Sequence, residues 1–185
     1  MCGLVFRLLE GKRLNLRIID REDLSLIQEW VNDQKFMGEF EPFLQETKVS
    51  LEKQYDQLKD GQWFFIETKD KAKIGYICHY LVGGHLTELG YALVPSERGK
   101  GYGTEAVKII VDYLFLSKSI VRIQVQTDEE NKASQRILEK SGFKKEGTIR
   151  KSFFLKGEYR DQALYSILRS EWNEPKILTT TSSSR

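Results

Sequence analysis

Three strand-like runs follow one another over residues 63–68, 74–82 and 86–94, with separators, Lys69-Asp70-Lys71 and Gly83-Gly84 among them, that suit only tight turns. Antiparallel neighbours accept such turns, whereas parallel neighbours need a crossover of a dozen residues or more. The three runs are therefore expected as a meander. A different pattern follows them. The glycine turn Arg98-Gly99-Lys100-Gly101-Tyr102-Gly103-Thr104 leads into an apolar helix over 104–117 and then a strand over 120–127. One chain carrying both patterns predicts a mixed α/β sheet that is mostly antiparallel with a single strand, helix, strand crossover.

The flanking segments add to that sheet. Alternating Leu14, Leu16 and Ile18 give a first strand, after which Asp20 is placed to cap a helix through Leu24, Ile27, Trp30 and Val31. Pro42 breaks the chain. Thr47 then caps a second helix, with Val49, Leu51, Tyr55 and Leu58 on its apolar side and Gly61 at its end. Beyond the crossover, residues 131–140 read as a helix with Ala133, Ile137 and Leu138 inward. Strands over 147–155 and 161–169 follow, joined by Lys156-Gly157-Glu158, which makes about seven strands. Residues 12–172 form one expected domain. Residues 173–185 end in three threonines, three serines and an arginine, a polar run expected as a flexible tail.

The glycine turn is the expected anion site. A helix leaves its first N–H groups unpaired, and these point at whatever lies before its N-terminus. Gly99, Gly101 and Gly103 remove side chains from that approach and permit positive φ angles, while Arg98 and Lys100 add charge. A P-loop needs a spacing that is not present here. A Rossmann fingerprint needs Gly-x-Gly-x-x-Gly, which Gly99-Lys100-Gly101-Tyr102-Gly103 does not supply, although Asp128 stands where a ribose-binding acid would.

Arg98-Gly99-Lys100-Gly101-Tyr102-Gly103, with Val94 ahead of it, resembles the acyl-coenzyme A signature of the GNAT superfamily of N-acetyltransferases. Further segments are similar to its RimJ/RimL-like branch of ribosomal-protein alanine acetyltransferases. They are Arg13-Leu14-Asn15-Leu16-Arg17 with Asp23, Glu88-Leu89-Gly90-Tyr91-Ala92-Leu93, Asn131-Lys132-Ala133-Ser134-Gln135-Arg136, and Gly142-Phe143 with Glu146-Gly147. This resemblance implies the GNAT acyl-CoA N-acyltransferase fold, with helices on both faces of the sheet and a cleft where the strands at 86–94 and 120–127 splay apart. It implies direct transfer of an acetyl group from acetyl-CoA to a primary amine, without an acyl-enzyme. The pyrophosphate would lie on Gly99, Lys100, Gly101, Tyr102, Gly103 and Thr104, reinforced by Arg98. The pantetheine arm would meet the backbone of Leu93 and Val94 and the side chain of Asn131. Glu88 would accept the amine proton, and Ser134 would face the departing sulfur. Many relatives carry a tyrosine acid where this chain has Leu138. The acceptor implied first is a protein N-terminal amine, ribosomal proteins included. Small amines such as polyamines or aminoglycosides, and a catalytically silent acyl-CoA-binding module, are the alternatives.

The remaining signals are weaker. With 29 basic and 27 acidic residues the net charge is +2, which argues against nucleic-acid or membrane partners. Two cysteines, Cys2 and Cys78, fit reduced thiols and a cytoplasmic location. His79 and His85 lack companions at metal-ligand spacing, so no metal is expected. Trp63, Phe64, Phe65, Phe153 and Phe154 read as core or acceptor-pocket walls, and Glu129-Glu130 as solvated surface. The oligomeric state stays open between monomer and homodimer.

Overall fold

The computed structural model describes residues 8–173 except 59, and residue 175. Cys2 and nearly all of the expected tail lie outside the described residues. The chain runs β1 (Leu8–Glu10), β2 (Leu14–Ile18), α1 (Leu24–Asn32), α2 (Gln34–Met37), α3 (Lys48–Asp56), β3 (Gln62–Thr68), β4 (Lys73–Gly83) and β5 (Leu86–Leu93). It continues through α4 (Tyr102–Ser117), β6 (Arg122–Asp128), α5 (Lys132–Lys140), β7 (Lys144–Leu155) and β8 (Glu158–Leu168). One sheet holds these eight strands in the order β1-β2-β3-β4-β5-β6-β8-β7. Its one parallel pair is β5 with β6, bridged by α4. The meander, the crossover and the mixed sheet stand as expected.

Three differences from the sequence reading have local causes. β1 is an eighth strand, three residues long and too short to show a period; Gly11 N–H donates to Leu14 O at 2.8 Å and turns it onto β2. Asp20 starts a short 3-10 turn at 21–23, not α1 itself, and its N–H donates to the Asp23 carboxylate at 3.1 Å. Thr47 does cap α3, accepting from Ser50 N–H at 3.1 Å.

Period two along the strands builds a core on each face of the sheet. Phe64 and Ile66 of β3 join Leu89 and Leu93 of β5 beneath α4, whose Ala106, Ile109, Ile110 and Leu114 are fully buried. Trp63 and Phe65 face the other way, onto Ile27 and Val31 of α1 and Leu51 of α3. Helices therefore cover both faces. Among the described residues no helix is long and apolar enough to cross a membrane.

Buried among the apolar side chains between β4 and α4, His79 is 1% exposed, and neither ring nitrogen has a partner among the described residues. Phe64 stacks against it and Tyr113 lies beside it. Desolvation, helped by the Lys118 charge, pushes its pKa down to about 4. An unfolded imidazole titrates near 6.5, so the fold needs the neutral ring. Stability is undiminished above about pH 6.5 and falls as the pH drops towards the folded value, by about 3 kcal/mol in all. His79→Leu is expected to remove this acid slope while leaving neutral-pH stability nearly unchanged. Urea unfolding of both proteins at about pH 7 and about pH 4.5 checks it; an equal loss in both would rule His79 out as the cause.

Candidate active site

The site begins where the sheet stops pairing. β5 and β6 match at Leu86 with Arg122, Thr87 with Ile123 and Glu88 with Gln124, and there the parallel ladder ends. β6 continues against β8 to Asp128, while β5 continues against β4 to Leu93. A slot is left between β5 and β6.

Alternation decides which backbone groups face the slot. Val94 N–H donates to Ile74 O at 2.9 Å, towards β4, and Val94 O accepts from Glu97 N–H at 3.0 Å. The backbones of Leu93 and Tyr91 consequently turn the other way. Leu93 O is taken by Arg98 Nε at 3.0 Å, which leaves Leu93 N–H and both Tyr91 groups towards the slot. Of the expected Leu93 and Val94, Leu93 turns a backbone group towards the slot and Val94 does not, while Tyr91 does, because adjacent residues of a strand face opposite neighbours.

At the far end lies the glycine turn. Gly99 and Gly101 have φ of 76° and 82°, and Gly101 is the N-cap of α4 with no side chain supplying a cap. The first helical bond runs from Glu105 N–H to Gly101 O at 3.2 Å, and no N–H of residues 99–104 donates to an acceptor among the described residues. Gly103 allows α5 to approach, since a Cβ there would lie 2.8 Å from Ile137 Cδ1. The unpaired amides at this helix start fit an anion.

The charges around the turn are not those the sequence indicated. Arg98 is turned away: besides Leu93 O, its guanidinium bonds Phe36 O and rests on Gly38, tying the turn to α2. Both bonds are to backbone carbonyls, and desolvation lowers its pKa from the usual value. Lys100 is exposed and paired with Glu97 at 2.9 Å. Arg13, from the start of β2, stands there instead. It donates to Lys100 O at 3.1 Å and lies over the Tyr102 ring at 4.9 Å. Glu105, 8% exposed, anchors it by accepting from Arg13 N–H at 2.7 Å, Arg13 Nε at 2.8 Å and Leu14 N–H at 3.2 Å. These bonds hold the Glu105 carboxyl below its usual range despite desolvation.

The two mouths of the slot open on opposite faces of the sheet. On the α1 side is a cleft of about 310 Å³ lined by Phe40, Glu41, Tyr80, Glu88, Gln126 and Phe153, among others. Glu88 accepts from Gln124 Nε2 at 3.0 Å and Gln126 Nε2 at 3.5 Å. Asp128 lines the cleft too, but Arg160 donates to both its oxygens, at 2.6 and 3.1 Å, and Glu130 N–H to one at 2.8 Å. Desolvation pushes Glu41 up to about 7, although much of that residue faces solvent, which lessens the effect.

On the α4 and α5 side, Asn131 caps α5 by accepting from Ser134 N–H at 3.0 Å, and also lines the cleft. Ser134 Oγ lies 2.9 Å from Tyr91 Oη. Leu138, at the position of the missing tyrosine, is fully buried in the core. Tyr91, Gln124, Gln126 and Arg13 were not among the expected site residues, although Tyr91 and Arg13 lie in segments that carry the resemblance. The two glutamines alternate with the core residues Ile123 and Val125, so both share one face.

Other expectations resolve simply. Phe153 lines the cleft while Trp63, Phe64 and Phe65 are core. Glu129 and Glu130 are not merely solvated: Lys145 bonds Glu129 at 2.8 Å and Arg160 pairs with Glu130. His85 Nδ1 donates to Ser119 O at 2.8 Å, and no group of metal-ligating side chains occurs among the described residues.

Residues 13–144 match the family model described as an acetyltransferase (GNAT) domain. The chain is 32% identical over 174 residues to the uncharacterized N-acetyltransferase YoaA of Bacillus subtilis, covering 89% of this chain and 98% of that one. The crystal structure of spermidine N-acetyltransferase from Vibrio cholerae, in complex with CoA and spermine, superposes with a TM-score of 0.76 at 26% identity, covering 86% of this chain and 97% of that chain. The ribosomal-protein-S5-alanine acetyltransferase of Vibrio fischeri has the same fold, with a TM-score of 0.78 at 23% identity over 90% of this chain and 98% of that chain.

Proposed function

The chain belongs to the GNAT acetyltransferase family, and on that footing we propose that it transfers an acetyl group from acetyl-CoA to the primary amine of a small polycation such as a polyamine. The observation that carries this reading is the slot itself. It runs from unpaired amides at residues 99–104 to the end of β5–β6 pairing, and opens there on a cleft with Glu41 and Glu88, neither ion-paired among the described residues. A relative of 28% identity is the spermidine N(1)-acetyltransferase of Escherichia coli, which agrees with such an acceptor.

The chain's residues divide the work as follows. The amides of 99–104 hold the pyrophosphate at the α4 N-terminus, where fixed dipoles need little reorganisation. Tyr91 backbone groups and Leu93 N–H bind the pantetheine arm like an added strand, and the Asn131 amide nitrogen remains free to join them while its oxygen caps α5. Glu88, held by two glutamine amides, accepts the proton that makes the amine nucleophilic. Ser134 faces the sulfur. Direct attack suits this site, since Cys78 is buried and desolvation pushes its thiol up to about 11. Its reduced state fits the cytoplasm.

A protein N-terminal amine is the second reading. Phe43, two residues beyond Glu41 and 69% exposed, offers apolar surface that a protein acceptor would cover. Acetyl-CoA incubated with spermidine, spermine, aminoglycosides and alanine-starting peptides, and followed by free-thiol release, is expected to show turnover with the polyamines first. Release with peptides alone would move the assignment to the second reading. Tight CoA binding with no release would make the protein a silent acyl-CoA-binding module.

A further inference from the structure

The acetyl carbon must part from sulfur, and a free thiolate with a conjugate pKa near 8.5 is a poor product to leave in a closed slot. Something has to hydrogen-bond it. Leu138 offers nothing, being fully buried among apolar side chains. On the mouth of the slot opposite Glu88, the only hydroxyl pair bridging β5 and α5 among the described hydrogen bonds is Tyr91 Oη with Ser134 Oγ, 2.9 Å apart. Tyr91 stands three residues beyond Glu88, roughly 10 Å along the strand towards the glycine turn. That is where an arm running from the turn to Glu88 has to pass.

Building on the acetyltransfer reading, we infer that Tyr91 is a positioning residue that donates its phenolic hydrogen to Ser134 Oγ and so aims the Ser134 hydroxyl hydrogen at the departing sulfur. A serine hydroxyl has one hydrogen and rotates to suit its surroundings. If its oxygen is already accepting from Tyr91, its own hydrogen is left to point into the slot. Tyr91 is fitted to be the donor. Desolvation pushes its pKa up to about 12, so the phenol keeps its proton. Its other acceptor, Ser134 O, is 3.5 Å away and makes the weaker bond. The Tyr91 ring packs against the core cluster beneath α4 and fixes the oxygen in place.

The step balances without a proton leaving either hydroxyl. The amine nitrogen bonds to the acetyl carbon, the carbon–sulfur bond breaks, and its electron pair leaves on sulfur. An ammonium sheds two protons: Glu88 takes the first before attack and releases it to solvent, and the second, shed by nitrogen once it is bonded to carbon, is the one that balances the thiolate as the thiol. Ser134 stabilises the interval between those events, as a hydrogen bond to a charged group does.

The test reads the thiol directly. Coenzyme A bound to the unaltered protein, titrated by thiolate absorbance, is expected to ionise about tenfold more readily than free coenzyme A. Tyr91→Phe should abolish most of that shift while keeping the ring, Ser134→Ala should do the same, and the double variant should lose no more than either. In turnover each single variant should lower kcat about tenfold with KM for acetyl-CoA within about twofold, since the bond matters in the transition state. An unshifted thiol in the unaltered protein, a Tyr91→Phe variant that titrates like it, or losses that multiply in the double variant would each overturn the role of Tyr91. A protein that shifts the thiol as expected yet acetylates no amine would uphold that role and overturn the acetyltransfer reading instead.

Discussion

Gly101→Val is expected to weaken coenzyme A binding about a hundredfold while leaving most of the fold intact. Gly101 has φ of 82° at the N-cap of α4, a conformation that is an outlier for a β-branched residue and costs about 1–2 kcal/mol. Its Cβ would also stand 3.3 Å from Arg13 Nη2, inside the contact that ties the turn to β2. The chain can relieve both problems by unwinding the first turn of α4. That relief spreads the amides of residues 102–104 away from their common focus, and the charge-assisted bonds they offer, each worth about 1.5–3 kcal/mol, are lost together. The buried stretch from Ala106 to Phe115 should hold the rest of the helix. Calorimetric titration with coenzyme A, alongside a thermal melt, measures the effect; affinity within about threefold of the unaltered protein would remove the cradle from the site.

Why some of this could be read in the residues and some could not follows from the range of each interaction. Local rules placed the meander, the crossover and the Thr47 cap, because turn length and cap chemistry act over a few residues. The slot needed topology: nothing local to Glu88 or Gln124 says that their ladder ends with them. Arg98 and Arg13 show the difference most clearly. Beside three glycines Arg98 looks like an anion ligand, yet it reaches α2, 62 positions earlier in the chain, while Arg13 arrives at the turn from β2 and is held by Glu105, 92 positions on. Charge near a site in sequence is weak evidence of charge at the site. Val94 differs in kind, since period two alone turns the backbones of Leu93 and Val94 towards opposite neighbours.

Glu88→Gln should lower kcat/KM for a polyamine about a hundredfold near pH 7, in line with the loss of a general base. The amide is nearly isosteric, and its oxygen can still accept from Gln124 and Gln126, so the cleft should keep its shape. What disappears is a place for the proton. A primary alkylamine titrates near 10.4, so at neutral pH almost all of it arrives as ammonium and must be deprotonated in the site. As the pH rises, solution supplies more free amine, and the variant should recover towards the unaltered rate. The deficit is therefore largest on the acid side. Two other carboxylates share the cleft and provide internal controls. Asp128 has both oxygens engaged by Arg160 and cannot take a proton without breaking that pair, so it is excluded as the base on geometry. Glu41 has no such partner among the described residues, and its raised pKa suits proton transfer, but it stands on the α2–α3 loop and is largely open to solvent. Glu41→Gln is expected to raise KM for a dicationic acceptor several-fold with kcat little changed, the pattern of lost binding charge. Should Glu41→Gln carry the pH-dependent loss in kcat/KM while Glu88→Gln stays near the unaltered profile, the proton acceptor is the loop carboxylate and β5 serves only to frame the slot.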